Sequence, residues 1–273
     1  MKKLLLSLIT LLAVAQTAYS QLPYDFKEGD LCYIFMSDST VFVTHEADFG
    51  QYVLYPWIPA YDSLEGDIVI PAEVRGYTVA GIGRLAFNYC SNITSITLPP
   101  TATTIEYRAF HACSQLADVN IPQGVTKVDQ GTFSSTALTH VTLPSTVEMI
   151  DTEGFRNCKK LVSIDLPNTL KDIGEYAFAG CASLESISLP NTITKIKHSA
   201  FSSCVSLTDV VIPNTVTEIG VYAFSACRKL ENLTIPNSVT FIGEGAFEKS
   251  GLTSIVIPNS VRRICKQAFY YCI

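Results

Sequence analysis

One phenylalanine recurs along the chain at near-constant spacing: Phe87, Phe110, Phe133, Phe155, Phe178, Phe201, Phe224, Phe247 and Phe269. The intervals are 23 residues, with two of 22. A fixed period in the twenties leaves few choices of fold. One such unit is too short to bury its own apolar edge, so units must stack and shelter one another. Both short intervals lose their residue between Phe and the next Leu (Phe133 to Leu138, Phe247 to Leu252), and the same two units lack a cysteine that the others carry. A single deletion accounts for both irregularities.

Within a unit the apolar period changes. In Leu184 to Pro190, Ile187 and Leu189 alternate with Ser186 and Ser188, the signature of a strand buried on one face. Pro190 removes an amide donor and ends the ladder. Pro-Asn-Thr or Pro-Asn-Ser follows at Pro167, Pro190, Pro213, Pro236 and Pro258, which is turn chemistry. Ala177, Phe178, Cys181 and Leu184 are then spaced i, i+1, i+4, i+7, which predicts one short helical turn on the outer side.

The pattern L-x-x-I-x-[LI]-P-x-[ST]-[VI]-x-x-I-G-x-x-A-F-x-x-C, running from Ile68 to Cys272, resembles the BspA-like (Treponema-type) leucine-rich repeats. Its L-x-x-I-x-L units start at Ile93, Leu116, Leu138, Leu161, Leu184, Leu207, Leu230 and Leu252. The resemblance implies a leucine-rich-repeat solenoid of strand-rich α/β horseshoe type. A parallel β-sheet would line its concave side and short helical turns its convex side. It also implies secreted or surface-exposed microbial proteins that adhere to or bind host proteins. The Gly of "IG" stands only at Gly83, Gly174, Gly220 and Gly243; Glu106, Asp129, Asp151, Lys197 and Cys265 replace it elsewhere. That position therefore does not strictly require positive φ.

The two ends depart from the repeat. Residues 1–20 read as a signal peptide: Lys2 and Lys3, an apolar run from Leu4 to Ala15, then the small-residue site Ala18-Tyr19-Ser20. The run is too short to span a bilayer comfortably, and no second one follows, so no integral membrane span is expected after cleavage. Residues 21–67 read as an N-terminal β cap, with two strands in Cys32 to Ala47 around a Ser37-Asp38-Ser39 turn. Aromatics at Tyr55, Trp57 and Tyr61 raise an alternative there, a glycan-stacking site. Residues 68–273 carry the repeats. The last is incomplete, so the chain is expected either to continue in a longer protein or to associate end to end at an uncapped edge.

Charge excludes one class of partner. The formal charge is −6, or −8 without Lys2 and Lys3, the wrong sign for nucleic acid. Nine cysteines in an exported chain would suggest disulfides. Seven of them (Cys90, Cys113, Cys158, Cys181, Cys204, Cys227, Cys272) instead mark one repeated core position, three residues after Phe. Stacked Cβ vectors point the same way, which disfavours bridging, so buried free thiols are expected. The histidines His45, His111, His140 and His198 fall at different repeat positions, and no H-E-x-x-H, G-x-S-x-G, phosphate loop or C-x-x-C occurs. The sequence predicts no catalysis, no cofactor and no metal site.

The remaining candidate is the concave strip. The third and fifth strand positions point away from the core. They supply the binding candidates Asp118, Asn120, His140, Thr142, Ser163, Asp165, Ser186, Ser188, Asp209 and Asn232. The strip is small, polar and mildly acidic, without the Trp, Tyr or Arg that dominate binding hot spots. It reads equally as a solubilising face or as a weak, multivalent binding face. Outer tyrosines Tyr89, Tyr107, Tyr176 and Tyr222 form an alternative stripe whose position suggests partial packing. The function expected is a secreted or cell-surface, non-catalytic protein that binds host or matrix proteins or another surface protein. A structural spacer or fragment of a larger surface protein, and a glycan-binding module, are the alternatives.

Overall fold

The computed structural model describes residues 24–45, 60–61 and 63–272. Residues 1–20, together with Tyr55 and Trp57, lie outside the described residues.

The described chain begins with three antiparallel strands, β1 (Phe26–Glu28), β2 (Leu31–Phe35) and β3 (Thr40–Thr44). The β2–β3 hairpin turns through Ser37 and Ser39, with the Ser37 hydroxyl 2.7 Å from that of Thr40. The first coil follows as β4 (Gly66–Val69), β5 (Glu73–Val74) and β6 (Tyr77–Ile82). β3 pairs parallel with β6, so the hairpin occupies the N-terminal edge of the stack.

Later coils contribute two short strands each, except the last two, which contribute only the second. The first, cut from the L-x-x-I-x-L segment, forms β7 (Ile93–Thr97), β9 (Asp118–Val119), β11 (His140–Thr142), β13 (Ser163–Asp165), β15 (Ser186–Ser188) and β17 (Asp209–Val211). The second follows the proline turn. It forms β8 (Thr104–Ile105), β10 (Lys127–Val128), β12 (Met149–Ile150), β14 (Asp172–Ile173), β16 (Lys195–Ile196), β18 (Glu218–Ile219), β19 (Phe241–Ile242) and β20 (Arg263–Ile264). Pairing between coils is parallel and in repeat register, as in Ser186↔Asp209 and Ile187↔Val210. The alternation fixes which side chains go inside: Ile187 is buried between exposed Ser186 and Ser188.

Neither set of strands forms one unbroken ladder. The first set divides into β4-β7-β9, β11-β13 and β15-β17. Leu230–Ile235 and Leu252–Ile257 adopt no strand pairing at all. The second set divides into β6-β8, β10-β12-β14 and β16-β18-β19-β20. What runs without interruption is the turn around each phenylalanine.

The helical turn expected there is absent; the described residues contain no helix. In all nine coils the residues two before and two after Phe have positive φ, for instance Tyr176 (56°) and Gly180 (75°) around Phe178. Between them the amides alternate in direction. Ala177, Ala179 and Cys181 bond three residues back within their own coil, to Gly174, Tyr176 and Phe178. Tyr176, Phe178 and Gly180 instead bond the next coil, at His198 (3.0 Å), Ala200 (2.8 Å) and Ser202 (2.7 Å). An α-helix would spend every amide inside its own segment. Here half of them tie coils together, which offsets a left-handed cost of about 1–2 kcal/mol at each non-glycine residue.

The "IG" glycines serve a different purpose. None has positive φ, but a Cβ at Gly174 would sit 2.4 Å from the Thr152 amide nitrogen, so Gly allows close backbone approach. One continuous apolar cluster runs from Phe26 to Ala268. Its spine is the row of Phe rings, neighbouring centroids 5.3–5.7 Å apart and interplanar angles of 14° or less. Tyr61 tops the row against Phe87. It is buried, donates its hydroxyl to the Thr44 carbonyl and accepts from the Cys32 amide. Tyr61 therefore belongs to the core, which corrects its candidacy as a glycan-stacking residue.

Candidate interaction surface

All nine cysteines are free thiols. Those of the repeat are placed to donate rather than to bridge. Cys113, Cys158, Cys181, Cys204, Cys227 and Cys272 each point their Sγ at the carbonyl of the Phe one coil back, at 3.0–3.2 Å. In the two coils without cysteine a hydroxyl takes the position: Thr136 donates to Phe133 O and lies 3.3 Å from Cys158, and Ser250 lies 3.3 Å from Cys272. Burial pushes the Cys113, Cys181 and Cys204 thiols well up, and Cys227 up to about 12, which disfavours the thiolate at these four positions.

The back of the coils, flanking Phe, carries the outer aromatics. Tyr107 lies between the guanidinium groups of Arg84 (4.8 Å) and Arg108 (5.2 Å). The Tyr176 hydroxyl lies 2.6 Å from His198 Nε2, with Arg156 5.4 Å from its ring. Tyr89 meets His111 edge-on. Burial and the neighbouring Arg108 pull the His111 pKa down to about 4. These tyrosines are half-buried and engaged with their neighbours, which is packing.

The exposed positions of the first strands form a different surface, here called the front face. Strand pairing places eight of the ten sequence candidates on it in register: Asp118 beside Ser95, His140 beside Ser163, Thr142 beside Asp165, Ser186 beside Asp209 and Ser188 beside Val211. Asn232 is also exposed, in the segment that lacks strand pairing. Asn120 is committed elsewhere. Its side-chain amide donates to Leu98 O (2.9 Å) and accepts from Leu98 N (2.6 Å), standing in for a strand bond to the preceding coil.

Asp67 was missed by the sequence reading, because β4 has Gly66 where the other units open on Leu or Ile. It pairs in register with Ser95, which pairs in turn with Asp118. Ser95 (2.7 Å) and Thr94 (2.8 Å) donate to one Asp67 oxygen and hold its carboxyl below the usual range. Also unforeseen was a cluster across β11 and β13. His140 Nδ1 lies 2.7 Å from Ser163 Oγ, and its Nε2 lies 3.2 Å from both Thr142 Oγ1 and Asp165 Oδ2. A repeat-length separation hides such a contact from motif searches.

Hydroxyl, imidazole and carboxylate are together there, but the geometry does not build a nucleophile. Asp165 is 67 % exposed, so water competes for every bond. Strand amides point along the sheet at neighbouring coils, not out of the face where an oxyanion would develop. The cluster orders side chains on an open ribbon. Among the described residues no group of His, Cys, Asp and Glu is arranged to hold a metal ion.

Residues 73–162 and 148–273 match the BspA type leucine rich repeat region. The chain belongs to that family. BspA-type repeats generally serve as non-catalytic scaffolds for protein interaction. A leucine-rich repeat protein from Bacteroides ovatus is 28% identical, with TM-score 0.66 over 88% of this chain and 67% of that one. The T. pallidum leucine-rich repeat protein is 25% identical, with TM-score 0.65 over 75% of this chain and 90% of that one. No curated protein matches. Among the described residues no helix is long and apolar enough to cross a membrane.

Proposed function

We propose that this BspA-type chain is an exported, surface-acting protein that binds other proteins, in a host or its matrix or on a cell surface, through its front face. The observation that carries this reading is the contrast in how side chains are used. The back of each coil is spent on Phe, thiol and turn contacts, whereas Asp118, His140, Thr142, Ser163, Asp165, Ser186, Ser188 and Asp209 stand in aligned rows facing solvent. Export rests on residues 1–20 and residues 21–67 act as the N-terminal cap.

A steric block tests the face without presuming its chemistry. The double variant Thr142→Trp with Ser186→Trp should abolish adhesion to immobilised extracellular-matrix proteins while leaving the unfolding transition in place. Unchanged adhesion would rule the front face out.

A further inference from the structure

Four aspartates occupy the front face in alternate coils: Asp67 on β4, Asp118 on β9, Asp165 on β13 and Asp209 on β17. Stacked strands lie about 4.8 Å apart, so successive aspartates recur at about 10 Å along the stacking direction. Three share one row. Asp165 sits two residues along its strand, about 7 Å to the side, within the sweep of a long cationic side chain.

No lysine or arginine stands in any of the first-strand segments, 66–69, 93–97, 116–120, 138–142, 161–165, 184–188, 207–211, 230–234 and 252–256. Carboxylates of the second strands and the turns beside them are treated otherwise. Asp151 is paired by Lys127 (2.7 Å), Asp172 by Lys197 (2.7 Å), Glu148 by Lys171 (2.8 Å) and Glu218 by Lys195 (2.9 Å). On the front face Asp67 has only hydroxyl partners, Asp165 has Thr142 and His140, and Asp118 and Asp209 form no ion pair with the described residues. The unpartnered sheet face therefore carries uncompensated negative charge at a fixed interval.

We propose that the front face binds an extended, cationic polypeptide segment in polyproline II conformation, with Lys or Arg at every third residue. Polyproline II has three residues per turn and rises about 3.1 Å per residue, so every third side chain returns to one side after about 9.3 Å. That repeat matches the aspartate interval. A β-strand would turn its third residue to the opposite face. The inference rests on the front-face reading above and specifies the partner's charge and spacing.

Fluorescence anisotropy with two labelled peptides tests it on the intact chain. One peptide is four Lys-Pro-Pro triplets; the other has the same composition with its four lysines contiguous. The triplet peptide should bind about tenfold more tightly, with affinity falling as salt rises. The triple variant Asp118→Asn, Asp165→Asn, Asp209→Asn should lose about tenfold for the triplet peptide, each exposed pair contributing modestly. Equal affinity for the two peptides, no binding of either at low salt, or no loss in the folded triple variant overturns the inference. The peptide pair reads the wild-type chain alone, so a misfolded variant would not blunt the test. Matrix adhesion lost in the tryptophan variant but kept in the asparagine variant would leave the front-face reading standing and remove the cationic partner.

Discussion

Along the back of the coils, nine Phe rings stack from Phe87 to Phe269, and a turn amide crosses every junction between them. Along the front, strand pairing holds coils together in twos and threes and then lapses over Leu230–Ile235 and Leu252–Ile257. At the junction of β13–β14 with β15–β16 both strand ladders are interrupted, yet Phe178 N still donates to Ala200 O at 2.8 Å. The two sides of one coil thus divide the labour. The back carries unbroken cohesion, and the front carries it only in part. A solenoid stabilised by nearest-neighbour contacts can tolerate that division, because each junction needs only one strong seam.

The sharpest way to break the contrast is to cut the seam. Phe178→Ala removes a fully buried ring between two others and should cost about 3–5 kcal/mol, read as a lower urea midpoint. Ser186→Ala, on the front of the following coil, serves as the comparison. If both variants unfolded alike, the back would not be the seam.

Acid probes the same side more gently. His111 lies on the back beside Tyr89, with its pKa lowered from 6.5 to about 4 by burial and Arg108. A depressed folded pKa means that the unfolded chain binds the proton first as pH falls. Stability should therefore be intact above about pH 6.5 and decline between pH 6.5 and pH 4. The contribution of this group, discounted for its partial exposure, is about 1–2 kcal/mol. His111→Gln should flatten that part of the curve. An unchanged slope between pH 6.5 and 4 would show that His111 is not linked to folding.

Much of this division can be read in the repeat. Period-2 alternation at Ile187 and Leu189 gives the buried side of the strand, and the recurrent Phe and Cys give the spine. The helical turn was misread for a physical reason. Apolar spacing of i, i+1, i+4 also fits a tight turn built on left-handed residues, and Leu85, Arg108, Glu153 and Tyr222 occupy those positions without the Gly or Asn that would announce them. The ladder bonds impose the conformation from outside the coil. On the front face, the row of candidates followed from alternation alone. Asp67 was hidden by an atypical first coil, and the His140–Ser163–Asp165 contact by its separation of one full period.

The thiols give a smaller effect. Cys204→Ala deletes a buried sulfur and its bond to Phe178 O, and should cost about 1–2 kcal/mol. Cys113, Cys158, Cys181, Cys204 and Cys227 should resist a thiol reagent until the chain unfolds, while Cys265, in the last coil, is partly exposed and should react first. Rapid labelling of the five buried thiols in the native chain would contradict a sealed back.

The smallest effect is the most telling for function. Ser186→Ala and Ser188→Ala change exposed side chains and should stay within about 0.5 kcal/mol of the parent. Hydrogen exchange then separates the two sides without mutation. Amides of Phe178, Phe201 and Phe224 lie in the turn ladder, so they exchange only when coils part. Those of Asn232, Thr234, Ser254 and Val256, residues that line an open groove of about 590 Å³, have no backbone partner among the described residues. They should exchange orders of magnitude faster. A surface whose own backbone is left unpaired costs little to reshape around a partner, whereas protection of these front amides equal to that of the Phe turns would mean that the front is as closed as the back.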